Sequence, residues 1–184
     1  MNIACRVPVK RIGDWAIEEY TITESQARLY NINCHGRPVE SGTYKKLTCN
    51  GSIVMSNTPT EIEDSIDFID TARGHILIAG LGLGVVLEML IKKKEMKSIT
   101  VIEIQPEVLN LVAPSFEHIK NIEFVNADIL KWRPGKRKFD FGWFDIWQNI
   151  CADNLEEVSI LRKKYANVVK KKYFWCEYEC KHYR

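Results

Sequence analysis

Three glycines fall within six residues, Ala79-Gly80-Leu81-Gly82-Leu83-Gly84, between an apolar run and a second run that reads as a helix. Such a turn lets the backbone approach a ligand, because no Cβ stands in the way. A helix beginning at Val85 would point its first N–H groups at that ligand. Glu103 stands nineteen positions after Gly84, at the end of the next apolar run. A carboxylate about 20 positions beyond a glycine turn is placed to accept both hydroxyl protons of a ribose. Asp128 follows the apolar run 121–125, within Asn126-Ala127-Asp128-Ile129. It can accept a hydrogen bond from an adenine amino group, with Ile104 and Ile129 on the two faces of the ring. Asp145 opens Asp145-Ile146-Trp147-Gln148-Asn149 after a fourth run. Its carboxylate can position or deprotonate an amine or hydroxyl, or equally hold an amino group of the ligand.

The spacing of the glycines is G-x-G-x-G, not the G-x-G-x-x-G of dinucleotide sites, and no Lys-Ser/Thr pair follows. A phosphate-binding P-loop is thereby excluded, and a cofactor without a pyrophosphate fits better. Trp143 and Trp147 read as core residues or as a flat wall for an aromatic or cationic substrate, with Trp147 the better candidate for the wall. Cys176-x3-Cys180-x-His182 lacks the tight knuckle and second pair of a structural zinc site, so no metal is expected.

These residues need elements to hold them. From Pro59 onward, strands and helices alternate. A helix is expected from Thr60 through an apolar face of Ile62, Ile66, Ile69 and Ala72, ended by Gly74. Strands follow at 75–79, 98–102, 121–125, 139–144 and 173–178, with helices at 85–94, 106–113 and 154–169 between them. Near-continuous apolar strands alternating with helices imply a parallel sheet covered on both faces. All four chemical motifs then lie at carboxyl ends of strands, where open α/β sheets bind ligands. Residues 1–58 read differently, as a β-rich segment with strands at 15–17, 19–22, 28–32, 44–48 and 52–55, separated by turns at His35-Gly36-Arg37-Pro38, Ser41-Gly42 and Asn50-Gly51. The division expected is therefore an N-terminal segment, 1–58, and a ligand-binding domain, 59–184.

On these motifs, residues 74 to about 150 resemble the core of class I S-adenosylmethionine-dependent methyltransferases, a Rossmann-like doubly wound parallel sheet. The resemblance implies that Gly80, Leu81, Gly82 and Gly84 lie under the methionine part of S-adenosyl-L-methionine. It implies that Glu103 holds the ribose, that Asp128 reads the adenine with Ile104, Ala127 and Ile129 around the ring, and that Asp145 faces the reactive end. An acidic residue often found near the turn is replaced by Ala79, so the methionine amino group falls to the carbonyls of Gly80 or Asp145. Within the superfamily the chain is similar to the spermidine synthase branch, through Asn50-Gly51-Ser52-Ile53-Val54-Met55-Ser56 ahead of the turn and Val101 to Val108 after it. That branch carries D-x-x-D after the fourth strand; here Asp145 is followed by Gln148 in the second place, beside Trp147 on the substrate side. The branch's Tyr ahead of the turn has no clear match. The family's terminal antiparallel strand pair has no counterpart after 173–178, so the core is shortened. Its open edge would be covered by a partner chain in a homodimer, by the N-terminal segment or by charge. No motif of amino-methylating or cysteine-nucleophile DNA enzymes follows the fourth strand. The functions implied are methyl transfer to a small-molecule or protein acceptor, aminopropyl transfer from the decarboxylated cofactor, or nucleotide binding without catalysis. A nicotinamide enzyme is disfavoured by the glycine spacing.

Composition is that of an ordinary globular protein, 46% hydrophobic and 27% charged, with a formal net charge of +2. That balance makes no case for nucleic acid. The runs Lys92–Lys94, Lys136–Lys138 and Lys170–Lys172 read as solvated helix ends and turns, or else as a phosphate-contacting surface. The first residues lack an apolar leader and no stretch is long enough to span a bilayer, so six reduced cysteines and a cytoplasmic location are expected.

Overall fold

The computed structural model describes residues 5–33 and 37–182. The turn at His35-Gly36 and Cys34 lie outside them. Strands β1 (Lys10–Ile12), β2 (Trp15–Ile22), β3 (Gly42–Cys49) and β4 (Ser52–Ser56) form an antiparallel sheet in sequence order. Between β2 and β3 the chain forms helix α1 (Glu24–Asn33), where a strand over 28–32 was expected. The cause is a capping box. The Thr23 hydroxyl accepts the Gln26 N–H at 3.2 Å, and the Gln26 side chain accepts the Thr23 N–H at 2.8 Å. Only Ala27 of this helix is buried.

The expected helix of 60–72 is two short ones, α2 (Pro59–Glu63) and α3 (Ile66–Thr71). Ser65 interrupts it: both its N–H and its hydroxyl bond back to the Ile62 carbonyl, at 3.0 and 2.8 Å. Ile62, Ile69 and Ala72 are buried as expected.

That sheet comprises β5 (Gly74–Ala79), β6 (Met96–Glu103), β7 (Ile122–Asn126), β8 (Phe139–Phe144) and β9 (Val169–Phe174), all parallel, in the order β7-β6-β5-β8-β9. Helices α4 (Val85–Leu90), α5 (Pro106–Val112), α6 (Asn154–Lys164) and α7 (Glu177–His182) complete the chain. This is a Rossmann-like, doubly wound architecture. Alternate residues of β5 enter two cores. Ile76 and Ile78 join Phe68, Leu87, Leu111 and Trp143; Leu77 and Ala79 join Phe144, Leu161 and Tyr165 on the other face. The first core runs on into the N-terminal sheet through Trp15, Ile17 and Leu47.

Three boundaries differ from expectation. Helix α4 stops at Leu90, because Lys92 to Lys94 offer no apolar face to bury. Helix α6 ends at Lys164, closed by the Tyr165 N–H on Leu161 O. Strand β9 starts at Val169 and takes in Lys170 to Lys172; it is one of the two edge strands of the sheet among the described residues, the other being β7, and outward lysines are tolerated there. No helix among the described residues is long and apolar enough to cross a membrane.

Candidate functional site

Strand order reverses between β5 and β8, since β6 and β7 extend the sheet to one side and β8 and β9 to the other. Such a switch point leaves a crevice beyond the carboxyl ends of the strands. Here it opens into a cavity of about 620 Å³, within the usual range for a small-molecule site. Its lining brings together Gly80, Leu81, Gly82, Glu103 and Ile104, and then Ala127, Asp128, Ile129, Asp145, Trp147 and Gln148. Gly84 does not line it. A Cβ there would meet the Phe116 ring at 2.9 Å, so this glycine serves the contact between α4 and the turn 113–116.

The first two glycines also answer to protein neighbours. A Cβ on Gly80, at φ +91°, would lie 1.9 Å from the Asp145 carbonyl oxygen. A Cβ on Gly82 would lie 2.1 Å from the Met55 sulfur, which accepts the Leu83 N–H at 3.1 Å. The turn is thus wedged between the end of β8 and strand β4.

Glu103 is 7% exposed. Its two oxygens accept the N–H groups of Leu81 and Gln105, each at 2.8 Å, so it ties the glycine turn to the end of β6. Each oxygen keeps a further lone pair for a hydroxyl from the cavity. Asp128 accepts the Leu130 N–H at 2.8 Å and pairs with Lys131 at 3.2 Å. Ile104 is 56% exposed, an apolar wall facing open space, while Ile129 is buried. Trp147 is fixed by its indole N–H on Glu157 at 2.7 Å. Trp143 belongs to the core, stacked on Phe68 with ring centres 5.3 Å apart.

The other end of the cavity holds residues that reading by motif missed: Glu61 and Asp64 from the broken helix, Arg37, Trp15 and Trp175. The signal for the first two was present, two acids three apart beside a serine. Asp64 gathers three donors. Arg37 pairs with it through both terminal nitrogens, the Trp175 indole N–H donates at 3.1 Å and the Cys176 thiol at 3.6 Å. Burial, with Asp64 next, pushes the Cys176 thiol well above its ordinary range. Cys180 instead accepts from Asn154 at 3.7 Å, and His182 contacts the Tyr178 carbonyl. The three residues of the C-terminal motif therefore face different partners.

Asp145 faces the cavity but is walled in by protein. Burial, then the charge of Asp64, pushes its carboxyl from 3.8 up to about 7, against a hydrogen bond from Trp143. Glu61 is raised as well, chiefly by burial, despite accepting from the Ser56 N–H and hydroxyl at 2.7 Å. A carboxyl that binds its proton more tightly folded than unfolded stabilises the fold fully below pH 3.8. That contribution is lost as pH rises through about 7. Asp145→Asn, neutral at every pH, should therefore gain stability on the wild type between pH 5 and pH 8 by more than about 1.4 kcal/mol, the worth of one pKa unit. Urea melts at the two pH values measure it; a constant difference would mean that Asp145 ionises as it does in water.

No family model matches the sequence, and no curated protein matches it. Solved structures do. An N-methyltransferase, NodS from Bradyrhizobium japonicum WM9, is 16% identical over 59% of this chain and 57% of its own, with a TM-score of 0.45. An S-adenosylmethionine-dependent methyltransferase from Clostridium acetobutylicum ATCC 824 is 18% identical over 61% and 46%, with a TM-score of 0.44. The N-terminal domain of EvdMO1 with SAH bound is 21% identical over 63% and 49%, with a TM-score of 0.48. The match spans about half the length of these proteins.

Proposed function

We propose that this chain binds S-adenosylmethionine in the strand-end cavity and transfers its methyl group to a small-molecule or protein acceptor. The observation that carries the reading is the convergence of Glu103, Asp128 and Asp145, from the ends of three strands, on one cavity floored by Gly80 and Gly82. The donor set suits the cofactor. Glu103 has lone pairs left for two hydroxyls, Ile104 is an exposed apolar wall for a flat ring, and Asp145, half ionised near neutral pH, offers carboxyl oxygens to an ammonium group. The bound cofactor supplies a sulfonium, whose carbon substituents accept an electron pair. The chain has to align the acceptor, exclude water and hold its proton. Asp145 sits close to neutrality, where a carboxyl can both take and release one.

One observation favours a second reading. Arg37 is the one cation among the described residues lining the cavity, and it is paired with Asp64. The carboxylate of S-adenosylmethionine thus meets no free cation. The decarboxylated cofactor, and with it aminopropyl transfer as in the spermidine synthase branch, suits this lining better.

Calorimetric titration with S-adenosylmethionine, S-adenosylhomocysteine, the decarboxylated cofactor and NAD separates the readings. Micromolar binding of the first two, lost in Ile104→Asp at unchanged melting temperature, is the expected result. Preference for the decarboxylated form moves the assignment to aminopropyl transfer. Failure of all four overturns the site.

A further inference from the structure

In a parallel sheet the loops entering every strand share one pole. Here that pole lies opposite the cavity, and its charge is opposite too. The loop into β5 carries exposed Arg73; the loop into β6 carries Lys92 and Lys94, with Lys97 exposed on the strand itself; the loop into β7 carries Lys120. Residues 133–138, entering β8, hold four exposed cations, Arg133, Lys136, Arg137 and Lys138, and no acid. Lys170 and Lys171 are exposed at the start of β9. Five acids lie nearby. Glu123 engages Arg137 at 3.0 Å and Asp140 engages Lys170 at 2.7 Å, while Asp70, Glu95 and Glu117 are exposed. The cavity lining at the other pole, by contrast, holds Glu61, Asp64, Glu103, Asp128, Asp145 and Glu157 with one cation among the described residues, Arg37, while Lys131 pairs with Asp128 beside it. The near-neutral total therefore conceals a separation of charge across the sheet.

The basic pole is also shaped. A groove of about 570 Å³ runs between the entries of β6, β7 and β8, lined by His75, Lys97, Ser98, Asn121, Arg137 and Lys138 among others. It offers cations with hydroxyl and amide donors beside them, the groups that hold phosphate oxygens. With strands about 4.8 Å apart, the cations span roughly 19 Å from β7 to β9. That is room for several phosphates of a nucleic-acid strand, spaced about 3.4 Å along its axis. None of the exposed large hydrophobic side chains lies in these loops, so the apolar anchor of a membrane-binding face is missing.

We infer that this pole is a docking surface for the phosphate backbone of a nucleic acid. The surface is sequence-independent in its chemistry and leaves the cavity, on the far side of the sheet, open. It stands without the cofactor reading, since none of its residues lines the cavity.

Fluorescence anisotropy of a labelled single strand of about 25 nucleotides tests it, titrated at about 50 and about 200 mM salt. Binding should weaken at least tenfold between the two. The triple variant Lys97→Glu, Arg133→Glu, Lys136→Glu alters exposed side chains and should keep the wild-type melting temperature. Its affinity at the lower salt should fall at least tenfold and its salt dependence should flatten. No binding at the lower salt overturns the inference. So does equal binding by the triple variant. So does co-sedimentation with phosphatidylserine vesicles that the oligonucleotide fails to compete.

Discussion

Glu103→Gln should lose both the ligand and a measurable part of the fold. The carboxylate accepts two backbone N–H groups, from Leu81 and Gln105, in a site only 7% exposed. A carboxamide has one oxygen; whichever N–H it serves, its NH2 group faces the other, donor against donor. Hydrogen bonds to a charged group contribute about 1.5–3 kcal/mol each. Loss of one amounts to a fall in melting temperature of about 6 °C for a chain of this size. Affinity for S-adenosylmethionine should fall at least 100-fold, since the acceptor for the ribose goes with the anchor of the turn. The two readouts divide the roles. A lowered melting temperature with intact affinity would leave Glu103 as a tie for the turn alone, and the ribose assignment would fail. Lost affinity at an unchanged melting temperature would mean that the turn stands without it.

Gly80→Ala is the most damaging single methyl group expected among the described glycines. The new Cβ falls 1.9 Å from a backbone oxygen, that of Asp145, at φ +91°. Neither atom is at the free end of a side chain, so the turn must part from the end of β8. The cost should exceed about 3 kcal/mol, a drop of about 10 °C or more. Gly135→Ala is the comparison. It also has a positive φ, +65°, but nothing lies within 4 Å of the added carbon. Only the left-handed backbone is penalised there, by about 1–2 kcal/mol. Calorimetric melts of the two variants test the difference. Equal losses would show that the Asp145 carbonyl yields without resistance, and that Asp145 is not held where the cavity needs it.

The sequence made the parallel sheet legible because β5, β6 and β8 are buried over most of their length and read as apolar runs, and β7 still carries Ile122, Phe124 and Val125. Four of the five strands were located from that pattern within a few residues. The fifth, β9, lies at the edge; three lysines there dilute the pattern and hid its start. Helix α1 was hidden by composition. Leu29, Tyr30 and Ile32 suit a strand, and the local capping box at Thr23 and Gln26 decided otherwise. The strand-end acids Glu103, Asp128 and Asp145 were legible since topology alone puts them at one pole. Glu61 and Asp64 were not. They precede Asp145 by about eighty residues, and only the tertiary fold brings them to the same cavity. The spacing of the glycines implies room for a ligand. In the fold each has a protein neighbour at the place of its missing Cβ: Asp145, Met55 and Phe116.

The Met55 contact sets a rule for how the two sheets can drift over evolutionary time. Position 82 stays free of a side chain because a thioether from β4 fills the space, and position 55 keeps an acceptor because the Leu83 N–H points at it. A larger residue at 82 requires a smaller one at 55, and the loss of sulfur at 55 requires another partner for that N–H. Substitutions at the two positions, twenty-seven residues apart, are therefore expected to be inherited as a pair.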